Sequence, residues 1–336
     1  AAGRSLPPVR RFDEPAVLRG RLHALPLFRE IHSTNEHAPG AKVFMDSCGP
    51  LVASVRTQHR HFMGCVCAGS GYAVLLPCLS PTAEAAQQCL ALFIAEMRSL
   101  IGEQRYLSPL VIRTDNGSAF IASRFQEFVD QSQSHLTFSS PYCPNQNSNA
   151  ERLWGTRFAT ARVLLAAARL PPRFHVHAVL HANWLHNRLP ALKRGGSSPF
   201  QLVSARLPDF THVRAFGCAA AVFQSKEQRR DAVGMKKLSP NRALLGVYLG
   251  PAQRTPGHVV YVPTRGRFCI AAHVAFDESS FPGMFAFLPT AQQNLHDWTA
   301  VLGRALDAAR AAREDEAAAI ASNDADLAAA SASDTT

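Results

Sequence analysis

The chain has 336 residues, 47% of them hydrophobic and 18% charged, with a formal net charge of +10 at pH 7. That balance excludes disorder throughout and allows two or three domains with real cores. All apolar runs fall short of the ~18 residues of a membrane span, and Ala1-Ala2-Gly3-Arg4 carries no apolar signal core. The sequence therefore reads as an intracellular protein with no membrane partner and no export signal, and the missing initiator Met suggests a piece of something longer.

In chain order, residues 1–40 are rich in Arg, Pro and His with weak periodicity, which suits a basic arm or linker. Lys42-Val43-Phe44-Met45-Asp46 is a short apolar run ending in an acid before the turn signal Cys48-Gly49-Pro50, and predicts a first strand with Asp46 at its end. His61 to Cys67 and Tyr72 to Cys78, split by Ala68-Gly69-Ser70-Gly71, predict a hairpin, so three antiparallel strands open the domain. Pro81 to Ile101 has helical periodicity, with Thr82 or Ser80 as its cap.

Leu110 to Arg113 predicts a fourth strand, Ala119 to Gln131 one helix, and Leu136-Thr137-Phe138 a fifth strand before a Pro-rich loop at 139–148. A helix then runs from Asn149 to about Ala168, with Trp154, Phe158, Ala161 and Leu165 on one face. After Pro171-Pro172 a second helix, Phe174 to Asn187, carries His177 and His181 four apart; without a zinc-protease Glu, this pair reads as a surface or core feature. The order β-β-β-α-β-α-β-α is that of the α/β ribonuclease H-like fold, a five-stranded mixed sheet with flanking helices.

Further on, Gly246 to Leu249, His258 to Val262 and Arg267 to Phe276 predict short strands of a small β-rich domain. Lys226, Arg229, Arg230, Lys236 and Lys237 form a basic run, read either as a solvated loop or as a phosphate contact or nuclear-import signal. The expected domains are thus a basic arm (1–40), a catalytic core (41–197), a β-rich C-terminal domain (198–289) and an Ala/Asp-rich, partly disordered tail (290–336).

Charge is unevenly spread: Gly303 to Thr336 has three Arg against seven Asp and Glu, a net of −4, which leaves +14 for residues 1–302. A body that basic suggests a polyanionic partner. The eight cysteines, at 48, 65, 67, 78, 89, 143, 218 and 269, lie mostly in apolar runs and read as core thiols in a reducing compartment. Cys65-Val66-Cys67 has too tight a spacing for a zinc knuckle.

Three acids carry the chemistry. Asp46 and Asp115 end strands one and four, and Glu151, 35 residues beyond Asp115, opens the helix after strand five. Phosphodiester chemistry needs an activated hydroxyl and support for a charged transition state and a leaving oxygen, which two divalent cations supply together. Mg²⁺ needs only a few hard carboxylate oxygens. In the expected roles Asp46 bridges two ions, Asp115 and Glu151 each hold one, and a water or DNA 3′-hydroxyl attacks in line. Asn116-Gly117 would turn the backbone sharply and bring the strand end close to nucleic acid.

The residues around these acids resemble the integrase of copia-type LTR retrotransposons, within the retroviral integrase superfamily. Met45-Asp46-Ser47-Cys48-Gly49-Pro50, Arg113-Thr114-Asp115-Asn116-Gly117, Ser140-Pro141-Tyr142 with Gln146-Asn147, and Ala150-Glu151-Arg152 are similar to its catalytic core. Asn187-Arg188-Leu189-Pro190, Ser198-Pro199-Phe200, Arg214 to Cys218, Lys237 to Pro240, Gly246 to Gly250 and Val274 to Glu278 resemble its continuation and C-terminal region. The resemblance implies metal-dependent 3′-end processing and strand transfer of element cDNA into double-stranded target DNA. It also implies Mg²⁺ or Mn²⁺, homo-oligomers on DNA ends, action in the nucleus, and DNA contacts by Asn116, Gly117, Asn145, Gln146, Asn147 and Arg152.

The sequence departs from the family at Cys67 to Gly71, at Ser148-Asn149, and at Leu153-Trp154-Gly155, where a more basic run is usual; no counterpart of the N-terminal His/Cys zinc module is present. The competing reading is a catalytically silent DNA-binding or assembly module derived from an integrase.

Overall fold

The computed structural model describes residues 38–102, 110–139, 148–225, 243–253 and 255–283, with side chains left out at 148–150 and 193. The chain divides after Val213 into two compact units.

In the first unit, β1 (Lys42–Cys48) pairs antiparallel with β2 (His61–Cys67), and β2 with β3 (Ala73–Cys78). β4 (Val111–Thr114) and β5 (His135–Phe138) then extend the sheet parallel to β1, giving the order β3-β2-β1-β4-β5. This is the ribonuclease H-like mixed sheet that the sequence predicts. Helices cover both faces, which is why β1 and β2 read as near-continuous apolar runs instead of alternating ones. On one side α1 (Ala83–Ile101) buries Ala85, Ala86, Cys89, Leu90, Phe93 and Met97 against Val43, Met45, Met63 and Cys65. Its cap is Thr82, whose side chain accepts from the Ala85 N–H.

The single helix expected at 119–131 is two: α2 (Ser118–Ile121) and α3 (Ser123–Gln131), broken at Ala122, which is extended at φ −63° and ψ 134°. Phe120 and Phe125 explain the break. Five residues apart on one helix they would point about 140° away from each other, yet both are fully buried and meet edge to face at 5.7 Å.

On the sheet's other side lie α4 (Ser148–Ala167) and α5 (His175–Arg188), packed on each other. Phe62 in β2 anchors them, with ring centroids 6.2 Å from Trp154, 6.3 Å from Phe158 and 5.9 Å from His175. Asn187 fixes α5 to the sheet edge: its Oδ1 accepts from Ala73 N (2.9 Å) and its Nδ2 donates to Ala73 O (2.8 Å). Arg188 stacks over the Trp184 ring at 4.2 Å. The Asn187-Arg188 pair is therefore a structural clamp. His181, 4% exposed, takes the core role of the two that the sequence leaves open.

The short helix α6 (Pro199–Ser204) packs on α1 and α5, and the first compact unit runs to Val213. The second unit holds a five-stranded antiparallel sheet of β6 (Ala219–Phe223), β7 (Ala243–Pro251), β8 (His258–Val262), β9 (Arg267–Ala271) and β10 (Val274–Asp277), ordered β10-β6-β7-β8-β9. Its β-rich character is as expected, with one added strand, β6, and with 267–276 divided in two. Cys218, Ala220, Val222, Tyr248, Val260 and Val262 form the core. Gly246 is required there, because a Cβ would lie 2.5 Å from the Tyr261 carbonyl oxygen.

Seven of the eight cysteines fall among the described residues, all as free thiols, five of them buried. The arm at 1–37, the loop residues Asn145, Gln146 and Asn147, Cys143, the basic run at 226–237 and the tail from 290 lie outside the described residues.

Candidate active site

β1 runs through the middle of the sheet with Val43 and Met45 facing α1, so Phe44 and Asp46 face the α4 side. A carboxylate is thereby placed half-buried in the sheet centre. Ser47 N donates to Asp46 Oδ1 at 2.7 Å, and the indole Nε1 of Trp154 donates to Asp46 Oδ2 at 3.2 Å.

The parallel register of β1 with β4 ends at Phe44 beside Arg113. Two residues further on each strand come Asp46 and Asp115, so the two acids leave neighbouring strand ends on one side. Asp115 Oδ1 accepts from Gly117 N at 3.1 Å, closing a tight turn that leads into α2. Asn116 is exposed, and its Nδ2 reaches Ser139 O at 3.4 Å, tying the ends of β4 and β5 together.

Glu151 sits in the first turn of α4, exposed, with exposed Arg152 beside it. Three residues on, Trp154 is buried on the sheet, so the indole that grips Asp46 also fixes the helical turn that carries Glu151. Gly64 makes room for it. Gly64 is the β1–β2 partner of Asp46, and a Cβ there would lie 2.8 and 2.9 Å from two Trp154 ring carbons.

Electrostatics links the three acids. Burial pushes the Asp46 carboxyl up to about 6, and the Asp115 and Glu151 carboxylates push in the same direction, against the Ser47 and Trp154 hydrogen bonds. Burial and Asp46 also raise the Cys48 thiol. Burial first, and the two like charges with it, disfavour the ionised Asp46 carboxyl, which a cation would relieve. The donor set suits Mg²⁺ or Mn²⁺, because all three groups are hard carboxylates. In their present rotamers no three His, Cys, Asp or Glu side chains among the described residues form a ready metal cluster.

The sequence singled out Asp46, Asp115 and Glu151, but not Gly64 and Trp154 as their support. One signal was available: a glycine inside the apolar strand Phe62-Met63-Gly64-Cys65 marks a close approach by another group. No helix among the described residues is long and apolar enough to cross a membrane.

No protein-family profile matches the chain. Curated relatives do. The retrovirus-related Pol polyprotein from transposon RE1 of Arabidopsis thaliana is 31% identical over 50% of this chain, and that from transposon TNT 1-94 of Nicotiana tabacum is 27% identical over 50%. The matched segments span 11% and 12% of those polyproteins, so the chain corresponds to a small part of each. Among solved structures, the HTLV-2 integrase catalytic core domain in complex with magnesium is 21% identical, with 49% of this chain and 97% of that chain covered and a TM-score of 0.37. A chain of the simian T-cell lymphotropic virus intasome in complex with PP2A regulatory subunit B56 gamma is 18% identical, with 76% and 83% covered and a TM-score of 0.42. The chain is thus similar, over half its length, to a small part of transposon-borne, retrovirus-related Pol polyproteins, and its first unit has the mixed-sheet ribonuclease H-like fold.

Proposed function

We propose that the chain is a retrotransposon integrase, a metal-dependent polynucleotidyl transferase that trims the 3′ ends of element DNA and joins them to target DNA. The observation that carries this reading is geometric: Asp46 and Asp115 leave neighbouring parallel strand ends, and Trp154 ties the Asp46 carboxylate to the turn of α4 that carries Glu151. Asp46, Asp115 and Glu151 would hold two Mg²⁺ or Mn²⁺ ions, which supply an activated hydroxyl and charge stabilisation when bound. The chain's own part is positional. Trp154 and Ser47 fix the Asp46 carboxylate, Gly117 fixes Asp115, and α4 presents Glu151.

Exposed Arg152 and Asn116, the turn at Gly117, and the loop residues Asn145, Gln146 and Asn147 are the proposed contacts to double-stranded DNA, consistent with a sequence pI of about 9.6. The working form is a homo-oligomer on DNA ends, and its place of action is the nucleus.

Oligonucleotide strand transfer tests the assignment. With Mn²⁺ or Mg²⁺ the wild-type chain joins a processed duplex end to target DNA, and Asp115→Asn abolishes the product. Product formation that survives Asp115→Asn would sink the reading. Salt-sensitive DNA binding with no metal-dependent product would leave a silent DNA-binding module in its place.

A further inference from the structure

Away from the three acids, α4 and α5 enclose a buried guanidinium. Arg157 is 7% exposed, and its Nε donates to Asn183 Oδ1 at 3.0 Å. One turn along, Thr160 Oγ1 and His186 Nε2 lie 2.8 Å apart, so Arg157 and Thr160 on α4 face Asn183 and His186 on α5. Asn183 Nδ2 donates onward to Ala73 O at 2.8 Å.

Arg194 closes the same edge. Its guanidinium lies against Gly71, where an added Cβ would fall 2.1 Å from an Arg194 Nη, and Gly71 has the positive φ of +72° that suits a residue without one. The turn at 71–73 therefore carries Arg194 on one end and the Asn183 bridge to Arg157 on the other.

A buried charge is normally paired, because taking an ion out of water costs far more than an unpaired polar group. Among the described residues no carboxylate pairs with Arg157 or Arg194, and the Arg157 Nη groups donate no hydrogen bond. Glu96 accepts from the Tyr72 hydroxyl at 3.1 Å. Two guanidinium groups and an imidazole thus lie along one edge of the α4–α5 pair, beside the turn at 71–73.

We propose that this edge is an oxyanion site for a phosphate-class dianion, either inorganic phosphate or a terminal phosphate monoester. The chemistry selects that class. A guanidinium fork matches tetrahedral oxyanions in bidentate fashion, two forks call for two negative charges, and a phosphomonoester carries about −1.5 to −2 near neutrality. A carboxylate would neutralise only one of them. Burial, and after it Arg194, hold Arg157 down at about 9, so it stays charged at neutral pH. Burial, Arg157 and Arg194 together hold His186 at about 4, so the imidazole is neutral there and can exchange a hydrogen bond with Thr160. Arg194, only half-buried, marks the open side by which the anion enters.

The test is thermal melting of the full chain with inorganic phosphate against sodium chloride at matched ionic strength. Saturating phosphate should raise the wild-type Tm by about 2–4 °C. Arg157→Met and Arg194→Met should each lose that rise, and Arg157→Met should melt no lower than wild type in chloride, since it removes an unpaired buried charge. Arg194→Met, at the rim, gives the same reading if Arg157→Met fails to fold. A wild type indifferent to phosphate overturns the proposal. So does an equal rise in both variants, because a general salting effect on the fold acts without a site.

A second arm separates the sources. Binding of a 5′-phosphorylated oligonucleotide about tenfold tighter than its 5′-hydroxyl twin, with the difference lost in Arg194→Met, assigns a strand end. Equal binding of the two, with the phosphate-dependent melting shift retained, assigns free phosphate.

Discussion

The Trp154 indole donates to Asp46 Oδ2 across 3.2 Å, joining the helix that carries Glu151 to the strand that carries the first acid. A wide apolar ring thereby does two things. It packs against Phe62 and Phe158 with centroids 6.2 and 6.0 Å away, and its one polar atom orients a half-buried carboxylate. Trp154→Phe keeps an aromatic ring against Phe62 and Phe158 and removes the donor. Loss of a hydrogen bond to a charged group should lower stability by about 1.5–3 kcal/mol, whereas Trp154→Ala, which also opens a cavity, should cost about 3–5 kcal/mol. Urea denaturation of the two variants separates these contributions; a Trp154→Phe chain as stable as wild type would mean that the hydrogen bond adds nothing.

Gly64→Ala reaches the same contact from the sheet. The new Cβ would crowd two Trp154 ring carbons at 2.8 and 2.9 Å, so the indole must shift away from Asp46. Overpacking of this kind costs about 1–3 kcal/mol. The crowding depends on the size of the indole, so Gly64→Ala placed in Trp154→Phe should cost clearly less than in wild type. Additive losses in that double-mutant cycle would show that the two positions do not meet.

How much of this was legible in the sequence follows from what each element needs. Strands β1 to β5 and helices α1, α4 and α5 declared themselves by period and apolar runs, and the three acids by their place at element ends. The break at Ala122 did not, because helical periodicity cannot register that Phe120 and Phe125 must both face one core. Strand β6 was hidden because Ala219-Ala220-Ala221 has no β-branched residue and a fully buried strand has no alternation. The Asp46–Trp154 bond joins residues 108 positions apart, and only the packed sheet brings them together.

Asp46→Asn should separate function from stability. Asp46 is charged at neutral pH in a half-buried place beside two like charges. Asparagine keeps an acceptor for the Trp154 donor and removes the charge, so the metal-free chain should gain about 1–3 kcal/mol, while metal-dependent strand transfer disappears. Melting in a chelating buffer and the strand-transfer assay read the two effects. A destabilised Asp46→Asn would mean that the carboxylate is held by contacts stronger than its repulsions.

The histidines of α5 set the acid limit of the fold. Burial holds the imidazole of His181 at about 4, below the ordinary value of 6.5. A group whose folded pKa is depressed stays neutral in the fold while the unfolded chain takes up its proton, so its stability is complete above about pH 6.5 and drains away as pH falls towards 4. From about pH 7.5 to about pH 5 this one residue should remove about 2 kcal/mol. Burial, with Arg157 and Arg194 behind it, puts His186 in the same position. Stability measured in urea should therefore fall across that window, and His181→Leu should flatten the dependence by about one residue's share even if it shifts the absolute value. A pH profile as steep in His181→Leu as in wild type would place the acid sensitivity elsewhere.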